Sequence, residues 1–156
     1  MPDFLNDDIR GQVKEVFNAQ LKRPVEVLFF GSANEETCAY CNDTRQLLEE
    51  VVSISDKLHL SVYDLDQNGP TAKTYHVDKA PTLVIAGRDG EKTSGPESLV
   101  DYGVRYVGLP SGHEFSSLIH SLILVSNRDS GLKPQTREFL KGVTKPIHLQ
   151  VFVTPT

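Results

Sequence analysis

Residues 25–30, with the sequence VEVLFF, constrain the fold of this chain more than any other feature. They are mainly β-branched and aromatic, and their apolar side chains do not keep to alternate positions. Because successive side chains of a strand point to opposite sides of a sheet, a run of this kind is typical of a strand that is covered on both faces. The sequence therefore predicts that residues 25–30 form a central strand.

Helical patterns stand on both sides of this strand. The first follows an Asn6-Asp7-Asp8 start, which suits helix capping, and its apolar residues share one face: Ile9, Val13, Val16, Phe17 and Leu21. The second follows the two cysteines, Cys38 and Cys41, and runs to about Ser53. We therefore expect both cysteines on the first turn of this second helix.

Three more strands and two more helices are predicted between residues 58 and 126. In chain order they are a half-buried strand at 58–65, a short helix at 70–75, two strands at 82–87 and 103–108, and a helix at 112–126. In the first of these strands Leu58, Leu60 and Val62 would point inward, and Ser111 would cap the last helix. The strands at 82–87 and 103–108 are predicted to pair as an antiparallel hairpin.

This order implies an α/β fold. Two βα units, a hairpin and a closing helix give a mixed central sheet flanked by helices in three layers, with an extra helix in front. At 156 residues the chain is long enough for one complete domain, which we place at residues 1–127.

Composition excludes several functions. A net charge of −5 argues against nucleic acid, whose phosphates require clustered Lys and Arg. The first ten residues lack the basic start and apolar stretch of a signal peptide, and no apolar segment is long enough to span a membrane. We therefore expect a cytoplasmic protein without membrane or nucleic-acid partners.

Residues 128–156 look like the start of an internal repeat. KPIHLQVF at 145–152 aligns with RPVEVLFF at 23–30, and the same alignment places Phe139 on Phe17 and Val143 on Leu21. The sequence predicts a short helix at 134–143 and a strand at 147–153, and we interpret residues 128–156 as a linker helix and the first strand of a second, truncated unit. The alternative is a chance match between two short apolar strands.

Cys38-Ala39-Tyr40-Cys41 is a C-x-x-C pair at a predicted helix start. In the cytoplasm such a pair performs redox chemistry or binds metal more often than it forms a structural disulfide. N–H groups at a helix start lower the pKa of a thiol, so Cys38 is the predicted nucleophile and Cys41 the more shielded resolving cysteine. Acidic neighbours, Glu35, Glu36 and Asp43, would make that pKa depression milder and favour a reductant.

Two other interpretations of the pair stay open. A structural zinc site requires a second close pair of ligands, which the five histidines do not supply, so metal is not expected. An inert pair is the other alternative, although exposed thiols at a helix start are reactive.

The C-x-x-C helix start, followed by Ala80-Pro81-Thr82 before a strand, resembles the thioredoxin superfamily. More narrowly, ETCAYC, DTRQLLEE, YDLD, GVRYVGLPSGHEF and VFVTPT resemble the N-terminal unit of glutaredoxin-like protein disulfide oxidoreductases, which hold two such units in tandem. The glutathione-binding Gly-Gly-x-Asp segment of glutaredoxins is absent.

The resemblance implies roles for individual residues. Pro81 would follow a cis peptide bond and face the cysteines, and the backbone of Ala80 would bind an extended substrate. Tyr40 and Thr82 complete the implied substrate-binding set. Glu26 would act as a buried proton acceptor for Cys41, although an edge-exposed or salt-bridged Glu is the favoured alternative.

The predicted function is thiol-disulfide exchange with protein disulfides or dithiols, with no cofactor beyond the cysteine pair. A thioredoxin-reductase-like flavoprotein is an expected partner. One alternative is an electron-relay module for a dedicated partner such as a peroxidase system. Another is a non-catalytic docking unit of a tandem protein.

Overall fold

The computed structural model describes residues 3–34, 36–89 and 98–153. Its helices and strands are, in chain order, α1 (Asp7–Gln20), β1 (Val25–Gly31), α2 (Cys41–Val52), β2 (Leu58–Asp64), α3 (Gly69–Thr74), β3 (Thr82–Arg88), β4 (Leu99–Val107), α4 (His113–Asn127) and α5 (Pro134–Lys141). These elements lie close to their predicted positions, although β4 begins at Leu99, ahead of the predicted strand at 103–108.

The four strands form one mixed sheet in the order β2-β1-β3-β4. β1 pairs parallel with β2 and antiparallel with β3, and β3 pairs antiparallel with β4. Every residue of β1 is buried. The central position of β1 and the antiparallel hairpin are therefore confirmed.

Alternation of side chains along β1 divides the core into two clusters. Val25, Val27 and Phe29 pack with residues of α1, α2 and α4 and with both cysteines. Leu28 and Phe30 pack on the other side of the sheet with residues of α3 and the segment after it. The sheet lies between these two layers, as the predicted three-layer α/β fold requires.

The extra N-terminal helix, α1, begins as predicted. The side chain of Asn6 accepts a hydrogen bond from the N–H of Ile9 at 2.8 Å, which satisfies one of the unpaired donors of the first turn. Val13 and Phe17 are buried on the core face, whereas Ile9 is 37% exposed.

Two local expectations are corrected by the structure. Val62 lies on the same face of β2 as Leu58 and Leu60 but is 45% exposed, because β2 is an edge strand with an incomplete cover. α4 is capped by Gly112, at φ 58°, and not by the side chain of Ser111. Glycine adopts this positive φ without the steric cost that other residues incur.

The segment 147–153, predicted to be a strand, forms none in the structure. Its apolar side chains are exposed, from 67% for Ile147 to 89% for Phe152, and α5 before it has no buried residue. A strand needs a neighbour to pair its backbone groups, and nothing among the described residues pairs with this segment. The interpretation of 128–156 as the start of a second unit stays a prediction.

Candidate redox site

The cysteine pair lies between the end of β1 and the start of α2. β1 ends at Gly31, and Cys41 is the first residue of α2. Cys38 therefore lies just before the helix, which corrects the expectation that both cysteines occupy its first turn. The reason is local, because the N–H of Cys38 donates to the carbonyl of Asn34 at 3.0 Å and so belongs to a turn of the preceding loop.

The two cysteines form a disulfide. Their Cα atoms are 5.4 Å apart, within the ordinary range for such a bond. Cys38 is 5% exposed and Cys41 6%, so exposure does not make Cys41 the more shielded residue. The two sulfurs differ instead in hydrogen bonding, since Cys41 Sγ accepts a bond from the N–H of Ser32 at 3.3 Å.

The loop that carries Ala80 and Pro81 directly precedes β3 and lines a cleft together with Thr37, the residue before Cys38. The peptide bond between the two residues is cis, as the resemblance implies. Ala80 packs against the cluster that contains both cysteines, and its backbone makes no hydrogen bond within the described residues. The carbonyl of Pro81 accepts a bond from the N–H of Gly108 at 2.9 Å, which fixes the loop to the end of β4.

Tyr40 and Thr82, the other implied substrate-binding residues, differ in exposure. Tyr40 stands directly before α2 and is 59% exposed, so its ring is open to contact. Thr82 is buried, and its hydroxyl donates to the carbonyl of Lys79 at 2.7 Å. The Thr82 side chain therefore holds the turn before β3, and its role in substrate binding stays a prediction.

Two clefts flank the loop that leads to Cys38. One has a volume of about 400 Å³ and separates Thr37 of this loop from Ala80. The other has a volume of about 330 Å³ and reaches Cys41. Ser32 lines both clefts. A more apolar cavity of about 360 Å³, between β4 and the end of α4, contains neither cysteine.

The charged residues beside the pair along the chain are mostly acidic. Glu36 and Asp43 are described, whereas Glu35 lies outside the described residues. Arg45 forms an ion pair at 2.7 Å with a glutamate of its own helix. Lys79 lines the cleft beside Ala80, and the sequence reasoning missed this cation because it lies far from the cysteines along the chain.

Glu26 does not reach the cysteine pair. It is adjacent in β1 to Val27, which packs in the cluster with both cysteines, so the Glu26 side chain points to the opposite face of the sheet. There it is 2% exposed, accepts a hydrogen bond from the hydroxyl of Ser61 at 2.6 Å and forms an ion pair with Arg88. The structure thus corrects the prediction that Glu26 accepts a proton from Cys41, and it shows the salt-bridged alternative.

Metal-binding clusters and membrane-spanning helices are both absent from the described ranges. No group of three or more His, Cys, Asp or Glu side chains is arranged there to hold a metal ion. None of the helices in that part of the chain is long and apolar enough to cross a membrane.

No protein-family model matches the chain. Among curated proteins it is similar to AhpF, the F component of alkyl hydroperoxide reductase, of Staphylococcus epidermidis, with 26% identity over 153 residues. The same component of Staphylococcus aureus is also 26% identical over 153 residues. Each match covers 98% of this chain and 25% of the relative, so the chain spans a quarter of the length of these relatives.

Two solved structures resemble the chain over nearly its whole length. A protein disulfide oxidoreductase from Aeropyrum pernix superposes with a TM-score of 0.71 and 27% identity, covering 91% of this chain and 56% of that one. AhpF from Enterococcus faecalis superposes with a TM-score of 0.73 and 23% identity, covering 92% and 62%. The chain has the thioredoxin fold.

Both predicted elements of the site are present in this thioredoxin fold. The C-x-x-C disulfide stands at the start of α2, and the cis peptide bond before Pro81 stands at the start of β3. The disulfide, the fold and the oxidoreductase neighbours together support thiol-disulfide oxidoreductase chemistry.

Proposed function

We propose that this chain exchanges protein disulfides through Cys38 and Cys41 as an oxidoreductase of the glutaredoxin or thioredoxin type. One observation carries the proposal: the disulfide lies at a helix start, and Ala80, whose backbone makes no hydrogen bond within the described residues, packs against the cluster that contains both cysteines. A thiolate at this place has helix N–H groups nearby to stabilise its charge.

Reduction of a substrate disulfide proceeds through two thiol-disulfide exchange steps. The Cys38 thiolate attacks one sulfur of the substrate disulfide, forming a mixed disulfide and releasing the other substrate sulfur as a thiolate. Cys41, once deprotonated, attacks Cys38 Sγ, so that the Cys38–Cys41 bond forms and the second substrate sulfur leaves. The substrate gains two electrons, its thiolates take protons from solvent, and the chain becomes the observed disulfide.

The substrate segment would bind in extended form beside Ala80. The free N–H and carbonyl of a strand-like residue recognise a peptide backbone regardless of its sequence, which suits a protein that acts on many disulfides. The exposed ring of Tyr40, next to Cys41 in the chain, offers apolar contact to the substrate. Pro81 shapes the loop, and Thr82 supports it through its bond to Lys79.

The two electrons reside in the cysteine pair, so the exchange needs no other cofactor. A dithiol that is repeatedly regenerated requires a reducing compartment, and a cytoplasmic location suits it. We propose a thioredoxin-reductase-like flavoprotein as the electron donor.

A second candidate function is an electron relay that serves one peroxidase system. The similarity to AhpF of alkyl hydroperoxide reductase favours this candidate. Such a relay passes electrons by the same two exchanges, but its docking surface recognises one partner protein instead of many substrates.

Insulin reduction driven by dithiothreitol tests the first proposal. The wild-type chain should accelerate insulin precipitation, Cys38→Ser should abolish the acceleration, and Cys41→Ser should trap the mixed disulfide. Failure of the wild-type chain with insulin, together with rapid reduction by a flavoprotein reductase, would favour the dedicated relay.

The same cysteine variants test the docking alternative. Activity that persists in a full-length protein carrying Cys38→Ser would show that this unit binds partners without performing the chemistry. Loss of activity in that variant would reject the docking alternative.

A further inference from the structure

The N–H of Ser32 is the one hydrogen-bond donor to a cysteine sulfur among the described residues, at 3.3 Å from Cys41 Sγ. Ser32 follows the last residue of β1, so its amide is held at the C-terminal end of this central strand. Donors fixed at the place where charge develops stabilise that charge without a cost of reorganisation.

The peptide group between Gly31 and Ser32 is held at both ends. Its carbonyl, on Gly31, accepts a bond from the N–H of Leu65 at 2.7 Å, and its N–H points to Cys41 Sγ. A carbonyl that accepts a bond polarises the N–H of the same peptide group and strengthens it as a donor. The close packing at Gly31, where an added Cβ would lie 3.4 Å from Cys41 Sγ, keeps the sulfur against this peptide.

The side chain of Ser32 connects the same residue to the loop and to a carboxylate. Its hydroxyl donates to Asp66 Oδ2 at 2.9 Å and accepts a bond from the N–H of Asn34 at 3.1 Å. The carbonyl of Asn34 in turn accepts a bond from the N–H of Cys38. Ser32 is therefore hydrogen-bonded to the loop that carries one cysteine and to the sulfur of the other.

We propose that the Ser32 amide stabilises Cys41 as a thiolate, both when Cys41 leaves the disulfide and when it attacks Cys38, and that Asp66 acts as the positioning residue for this amide. The inference rests on the proposed function. When a dithiol attacks Cys38 Sγ, the Cys38–Cys41 bond breaks and Cys41 departs with the electron pair. A stabilised thiolate leaves faster, and in the reverse step more Cys41 is deprotonated and ready to attack.

Other charged groups face Cys41 less directly. Arg45 of α2 and Asp64 of β2 line the cleft that reaches Cys41, and Arg45 is already paired with Glu49. None of these three groups donates a hydrogen bond to the sulfur within the described residues.

The test follows the reduced chain as it reacts with an excess of dithionitrobenzoate. The first phase labels one cysteine, and the second, which does not depend on reagent concentration, reports attack by the other thiolate on the mixed disulfide. Ser32→Pro removes the N–H and should slow this second phase about tenfold near neutral pH. Its pH midpoint should rise by about one unit, the equivalent of a tenfold change.

Two milder variants keep the test decisive if Ser32→Pro does not fold. Ser32→Ala and Asp66→Asn retain the N–H of residue 32 but disrupt the hydrogen bond between the Ser32 hydroxyl and the Asp66 carboxylate. Each should slow the second phase about threefold. The double variant should be no slower than either single variant, because both disrupt one network. Ser32→Thr, which keeps the hydroxyl, should restore the rate. Asp78→Asn is the matched control, since Asp78 lines the same cleft as Asp66 without a hydrogen bond to Ser32.

The outcomes separate this inference from the proposed function. A wild-type chain that shows no second phase and reduces no insulin would overturn both. The role of Ser32 alone would be overturned if the wild-type chain is active but Ser32→Ala and Asp66→Asn leave the rate of the second phase unchanged. It would also be overturned if Asp78→Asn slows the second phase as much as they do.

Discussion

The guanidinium of Arg105 donates two hydrogen bonds to the carbonyl of Tyr75, with Nη2 at 2.9 Å and Nε at 3.1 Å. Arg105 lies on β4, and Tyr75 is the C-terminal cap of α3, where the chain enters the loop that carries Ala80. Asp101 pairs with the same guanidinium at 2.6 Å, and this bond holds the pKa of the Asp101 carboxyl below its usual value. Arg105 therefore fixes the start of that loop to the sheet.

Replacing Arg105 with Ala should selectively weaken the binding of protein substrates. A loop that must be ordered at each encounter costs about 1 kcal/mol of binding, which raises KM for insulin about fivefold. Reduction of the chain by dithiothreitol should keep its rate, because a small dithiol does not use the Ala80 backbone. Arg137→Ala, which removes an exposed ion pair outside the domain core, is the control. Equal loss of rate in insulin reduction and in reduction of the chain by dithiothreitol would contradict this role of Arg105.

Replacing Glu26 with Gln should reduce stability and leave the redox chemistry unchanged. Loss of the carboxylate leaves Arg88 without its buried partner and lowers the free energy of unfolding by about 2 kcal/mol. Insulin reduction should stay within about twofold of wild type, because Glu26 lies across the sheet from the cysteines. A folded Glu26→Gln chain with a tenfold lower rate at every pH would return Glu26 to the chemistry.

The contrast between Glu26 and Pro81 shows what the sequence could predict. Pro81 belongs to a local motif that resembles the thioredoxin superfamily, and that resemblance implied its cis peptide bond. The role of Glu26 depends on its ion pair with Arg88, which lies on the adjacent strand β3. The strand pattern indicated the burial of Glu26, but a run that is apolar on both faces does not show which face meets the cysteines.

Ser32 was missed, and the strand at 147–153 was predicted wrongly, for related reasons. The bond from Ser32 to Cys41 depends on how α2 packs against the end of β1, and the support from Asp66 depends on the turn after β2. A lone serine in a polar loop gives no sequence signal for either. The segment 147–153 carries a strand pattern, but a strand also requires a neighbour, which a local pattern cannot supply.

Removal of residues 144–156 should leave the domain intact. Residues 144–153 are exposed throughout, so their loss should change the free energy of unfolding by less than about 0.5 kcal/mol. The shortened chain should also aggregate less, because it lacks the exposed apolar side chains of Leu149, Val151 and Phe152. Urea unfolding and light scattering of both chains check this. A loss of more than about 1 kcal/mol, beyond the range of ordinary surface changes, would mean that the tail packs on the domain.

Glu50 ties the N-terminal segment to α2. Its carboxylate accepts hydrogen bonds from the N–H groups of Phe4 at 3.0 Å and Leu5 at 2.9 Å, and Gln46 donates a third. Burial alone would raise the pKa of Glu50, but these donors favour the charged form, and the pKa lies below its ordinary value. The carboxylate thus contributes stability that depends on pH.

The sign of that dependence follows from the lowered pKa. The contribution is fully present above the ordinary pKa of a glutamate and is lost as the pH falls through the lowered value of the folded state. Glu50→Gln, whose NH2 group would face an N–H donor, should cost about 1–3 kcal/mol near neutral pH. The difference from wild type should shrink in acid. Urea unfolding across this range measures it, with Glu49→Gln as the exposed control on the same helix. A difference that stays constant into strong acid would show that Glu50 acts through packing and not through its charge.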